Sequence, residues 1–140
     1  MKTSDIKEIE ALFNIQLPIF YTSFITNYPK ILTEILVQYE DKTYSNCYDS
    51  KEELIRINQL LGFYGEDKFI KHKFCIGENG GGDYYLIDIN NSTNEKIYVI
   101  DHEESAELYY DSSTDTWNWE NVDSFNGMAE FSNFILSLFS

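Results

Sequence analysis

The chain has 140 residues, 43% of them hydrophobic and 16% aromatic, and its 24 acidic against 10 basic side chains give a net charge of -14. That length and composition describe one folded domain, residues 1–140, with a real core, and exclude a disordered chain. The charge excludes nucleic acid and anionic membranes as partners and favours a basic protein. No apolar run reaches the roughly 18 residues of a membrane span and no signal-peptide core opens the chain, so the expected location is cytoplasmic.

Asp5 with Glu8 has the spacing of a capping box, and Ile6, Ile9, Leu12 and Phe13 then fall on one helical face that Asn14 ends. Pro18 suits the first turn of a second helix, whose Phe20, Phe24 and Tyr28 recur every fourth residue as a core stripe, with Pro29 as its stop. Ile31-Leu32 and Ile35-Leu36-Val37 are short enough to be strands. Ser50 with Glu53 repeats the capping-box spacing and opens a helix through Leu54, Ile57, Leu60 and Leu61. Lys68, Lys71, His72 and Lys73 form the one basic cluster, read as an exposed edge or an internal counter-charge.

The organising stretch is Phe74 to Asn90. Four of the seven glycines lie here, three of them consecutive at Gly80-Gly81-Gly82. A dinucleotide or P-loop cradle needs a helix after its glycines. Here Asp83 and an alternating strand, Tyr84 to Ile89, follow instead, so the glycines mark a turn between strands. Asn90 to Asn94 reads as a hairpin loop before a strand over Lys96 to Asp101. Glu107 to Tyr110 and Thr116 to Trp119 read as two more short strands, and Met128 to Phe139 as a closing helix presenting Phe131, Phe134, Ile135 and Leu138. The sum is α+β: a twisted, mainly antiparallel sheet of four to six strands with helices packed on one face.

Chemistry finds little purchase. His102 among Asp101, Glu103 and Glu104 is the best metal-like or catalytic-like group, yet neighbours on a strand point to opposite faces and cannot converge on one ion. Residues 111–122 fail as a calcium loop, with Thr116 where Gly and Val122 where Glu is needed. Cys47 and Cys75 have no ligand or disulfide spacing and read as reduced core thiols. The expectation is no enzyme and no metal or other cofactor. From Ile97 onward there are nine acids and no Lys or Arg. Those acids serve solubility alone, or they steer a basic partner. The aromatic residues of this half serve a binding face or the core. The partner-binding candidates are Glu78, Asp83, Asp101, Glu103, Glu104, Glu107, Asp111, Asp115, Trp117, Trp119 and Glu120, with Trp117 and Trp119 placed on one strand face. The oligomeric state is not legible.

Gly77 followed by Gly80-Gly81-Gly82-Asp83-Tyr84-Tyr85 resembles the central signature of the SUKH superfamily (Smi/Knr-like domains). Ile15-Gln16-Leu17-Pro18-Ile19-Phe20 resembles its opening helix pair and Ile97 to Glu103 its next strand. Val122-Asp123-Ser124-Phe125 with Phe131 to Ile135 resembles its closing helix. The resemblance implies a non-enzymatic recognition domain, in bacteria most often an immunity protein that neutralises a toxin, commonly a nuclease. The alternative it implies is a regulatory scaffold without a toxin partner.

Overall fold

A computed structural model describes residues 1–38, 46–61, 72–79, 83–100, 110–111, 113–114 and 116–138. Five helices and seven strands are present among them: α1 Thr3–Phe13, α2 Ile19–Thr26, α3 Lys30–Gln38, β1 Asn46–Cys47, α4 Lys51–Leu60, β2 Lys73–Glu78, β3 Tyr84–Asp88, β4 Lys96–Ile100, β5 Tyr110–Asp111, β6 Thr116–Trp117, β7 Ser124–Asn126 and α5 Met128–Ser137. The main sheet runs β1-β2-β3-β4-β7, every pair antiparallel, while β5 and β6 form a separate hairpin. The α+β expectation holds.

Register sorts the sheet's side chains. Phe74 stands opposite Ile87, and Ile87 opposite Ile97, which faces Phe125. Alternation adds Tyr85 and Val99 to that face. The ring of Phe74 meets Phe13 of α1 at 6.0 Å and Tyr21 of α2 at 6.4 Å. Tyr85 meets Phe131 of α5 at 4.8 Å, and Phe125 meets Phe134 at the same distance. Three helices therefore cover one face through aromatic edges, and Ile9, Ile25, Leu32, Phe131 and Ile135 are fully buried with them. At about 25 cal/mol per Å² of apolar area, each such side chain contributes on the order of 2 kcal/mol.

The fourth helix is held differently. Ser50 caps α4, its hydroxyl accepting from the Glu53 N–H at 3.1 Å. Leu54 and Ile57 point inward, and so does Asn58, a fully buried amide. Strand β1 ends before it can pair with Cys75. The Asn58 side chain takes that place. Its Oδ1 accepts from the Cys75 N–H at 2.8 Å, and its Nδ2 donates to the carbonyls of Cys75 and Leu54, both at 2.9 Å. One side-chain amide thus closes an edge of the sheet that a strand would otherwise have to cover. Beside it, β2 carries a bulge between Cys75 and Gly77.

Several expectations need correction. Helix α1 starts at Thr3, and Asp5 sits in its first turn, accepting from the Lys2 N–H at 3.2 Å, rather than capping it. Asn14 does end α1, in the left-handed conformation at φ 53. Leu12 is 45% exposed and Leu60 67%, because each lies at the edge of its helix's apolar arc. The buried stripe of α2 is Tyr21 and Ile25, one residue on from Phe20 and Phe24, which are half-buried. Residues 30–38 form one helix, not strands. Pro29 begins it, its carbonyl accepting from the Leu32 and Thr33 N–H groups at 3.0 and 3.3 Å. Ser124-Phe125-Asn126 is a strand, not part of the closing helix. Trp119 lies in a 3-10 turn, Trp119–Asn121, so it does not share a strand face with Trp117. Leu138 is exposed at the end of α5.

Candidate functional site

The structure divides the expected partner-binding residues between distant places. Asp101, Glu103, Glu104, Glu107 and Asp115 lie outside the described residues, as does the His102 cluster. The rest fall into three groups.

Glu78 and Asp83 lie at one end of the sheet, on either side of Gly80-Gly81-Gly82, which fall outside the described residues. Asn79 ties Asp83: its N–H donates to the Asp83 carbonyl at 3.1 Å, its Oδ1 accepts from the Asp83 N–H at 3.0 Å, and its Nδ2 donates to Asp83 Oδ2 at 2.8 Å. These three bonds fix the Asp83 carboxylate there. Helix α4 brings Glu53 and Arg56 to the same end. Arg56 lies 3.0 Å from the Glu53 carboxylate and 4.0 Å from that of Glu78, so two carboxylates share one guanidinium here. The half-exposed Arg56 pair contributes no more than about 1 kcal/mol. The excess negative charge acts on the phenols nearby. Burial first, then the Glu78 carboxylate, pushes the Tyr48 phenol well above its ordinary range, and the same two causes raise Tyr84.

Trp119 stands roughly 16 Å away, beside the far end of β2, given five residues of extended strand. It does not offer a bare ring to solvent. Its indole lies 4.8 Å from the Tyr98 ring and 4.2 Å from Lys73 Nζ, which also sits 3.7 Å from Asp88 Oδ2. Lys73 is only 4% exposed. Asp88 is further held by the N–H groups of Asn90 and Asn91 at 2.8 and 3.3 Å, and Asn94 Nδ2 bridges it to the Tyr98 hydroxyl at 3.3 and 2.8 Å. Burial lowers the Lys73 pKa, with Asp88 opposing the shift. This is an internal counter-charge, as one reading of the basic cluster had it. Cation, carboxylate and rings satisfy one another and pin the 3-10 turn to the face of the sheet opposite the helices.

The third group is Asp111 and Trp117, which the β5–β6 hairpin carries, with Glu120. Asp111 is exposed on the β5–β6 hairpin, where the N–H and hydroxyl of Ser113 donate to its Oδ1 at 2.9 and 2.6 Å and hold its carboxyl below the usual range. Glu120 is exposed beside Trp119.

Neither cysteine is poised for chemistry. Both are buried, and desolvation raises both thiols, that of Cys75 to about 12. Among the described residues no group of three His, Cys, Asp or Glu could hold a metal ion, and no helix is long and apolar enough to cross a membrane. What sequence reasoning missed is Asn58, which with Lys73 is buried and polar among the described residues. Asn58 was visible as a polar residue on the apolar stripe of Leu54, Ile57 and Leu61.

The described residues form an open antiparallel sheet with helices on one face. Residues 3–117 match the family model described as SUKH_6: SMI1-KNR4 cell-wall. The chain belongs to this SUKH family. No curated protein and no solved structure matches it. The matched span stops at β6, so β7 and α5 lie beyond it, although Phe131 and Ile135 complete the core.

Proposed function

We propose that the chain is a non-enzymatic, immunity-type protein of the cytoplasm that binds a basic toxin domain, a nuclease above all, and masks its active surface. Family membership supports a protein-interaction role. The observation that carries the toxin reading is the segregation of charge: nine acids and no Lys or Arg from Ile97 to the end of the chain. A nuclease must present lysines and arginines to phosphates, and a carboxylate-rich surface of fixed geometry competes for those side chains. Asp83, held by Asn79, and Glu78, which shares Arg56 with Glu53, are the described residues we place first in that surface. Asp101, Glu103, Glu104, Glu107, Asp111, Asp115, Trp117 and Glu120 extend the proposed surface along the acidic half. Trp119 contributes by holding the turn that carries Glu120.

The test is a pull-down from host lysate together with the products of adjacent genes, at low and moderate salt, followed by a toxicity assay. One basic partner kept at moderate salt and neutralised in cells supports the reading. Many weak partners lost on adding salt, with no neutralisation, refute it. They would favour a regulatory scaffold, the reading closer to the cell-wall wording of the family description.

A further inference from the structure

The main sheet has two edges, and they are treated unequally. At the β1 edge, the Tyr28 hydroxyl donates to the Cys47 carbonyl at 2.7 Å, and Asn58 occupies the backbone groups of Cys75 beyond it. At the other edge lies β7. The Val99 N–H donates to the Asp123 carbonyl at 2.8 Å. With Ile97 opposite Phe125, this fixes the phase of the ladder: Phe125 bonds inward to β4, and Ser124 and Asn126 turn their backbone groups outward. The outward Asn126 N–H is taken by the Glu130 carboxylate, and the Val122 N–H by the Trp119 carbonyl at 3.3 Å. Between them, the N–H and carbonyl of the exposed Ser124 have no partner among the described residues.

Exposed edges are commonly guarded by lysines. Here the exposed acidic side chains near β7 in the chain are Glu120, Asp123 and Glu130, while Lys96, opposite Asn126, is the neighbouring cation. Two copies paired through β7 would bring both sets of carboxylates together, so self-association is disfavoured. An incoming strand of opposite charge gains from them. On the helix-covered face, the half-buried Phe125 and Phe134 rings offer it apolar contact.

We propose that the outer edge of β7 docks an extended, lysine- or arginine-bearing segment of a partner protein, which adds to the sheet as a further strand through Ser124. This deepens the function proposed above and rests on it: the carboxylates supply attraction and the strand edge supplies register.

The test uses the isotopically labelled full chain, titrated with a short peptide alternating lysine with threonine and with its glutamate-for-lysine counterpart. The lysine peptide is expected to shift the Ser124 amide signal and slow its hydrogen exchange, and the glutamate peptide to do neither. Ser124→Pro removes the outward N–H without breaking a ladder bond, and should weaken lysine-peptide binding about fivefold or more, the factor for one lost hydrogen bond. Should that variant not fold, exchange at Ser124 in the unaltered chain decides alone. Shifts confined to other residues, equal binding by both peptides, no binding, or a Ser124 shift on concentrating the protein without peptide each overturn the proposal. None of these outcomes touches the toxin reading, which fails only in the neutralisation assay.

Discussion

Replacing Asn58 tests the idea that one amide substitutes for a strand. In Asn58→Ala the Cys75 N–H and carbonyl both lose their partner in a site with no exposed surface. An unsatisfied buried group costs about 1–3 kcal/mol, so the two together give about 2–5 kcal/mol, less whatever an entering water returns. Against the roughly 5–15 kcal/mol of a typical domain, that is a large fraction. Asn58→Leu keeps the volume while leaving the same two groups unpaired, so it should be no more stable than the alanine variant. Urea unfolding followed by fluorescence measures both, and an unchanged slope shows that the same surface is exposed. If Asn58→Leu sits within about 0.5 kcal/mol of the unaltered protein, packing rather than hydrogen bonding holds α4, and the argument from the sheet edge is wrong.

Three further outcomes follow from buried groups. The Tyr21 hydroxyl is buried without a partner, so Tyr21→Phe should be neutral or stabilising by up to about 1 kcal/mol in the same assay. Lys73→Met should cost about 1–3 kcal/mol, by removing the cation from Asp88, Tyr98 and Trp119, and should red-shift Trp119 emission in a Trp117→Phe background. Because burial lowers the Lys73 pKa, the unfolded chain binds its proton more readily. The stability of the unaltered protein relative to Lys73→Met should therefore rise as pH climbs from the folded pKa toward the ordinary lysine value, and fall again on acidification through that window. Both thiols should resist Ellman's reagent until the chain unfolds, since each is buried and hard to ionise; rapid labelling in native buffer would contradict this.

Local signals were legible where a residue has one physical option. Ser50 caps and Asn14 accepts a left-handed conformation, both as their chemistry requires. The pattern of residues 30–38 had two options: Ile31-Leu32 and Ile35-Leu36 fit buried strands or one face of a helix equally, and Pro29 both stops one helix and starts another. Strand β7 is three residues long, too short for any periodicity, and exists only because β4 offers an edge. The proposed site was least legible. Charge counts name carboxylates but not their places, so Glu78 and Trp119 stood in one candidate set although the length of β2 separates them. Trp119 looked like a contact ring because nothing in the sequence says that Lys73, 46 positions earlier, lies beneath it.

The most direct test of the central claim is a stoichiometric titration. Any basic toxin domain that the adjacent genes prove to encode is assayed for activity against increasing amounts of the protein, with and without Glu78→Lys and Asp83→Lys together. The account predicts that activity falls to zero at an equimolar ratio, that added salt weakens the complex, and that the charge-reversed variant inhibits less. Full inactivation by a small fraction of an equivalent would mean catalysis, and undiminished toxin activity at excess would mean that this acidic domain serves some other partner.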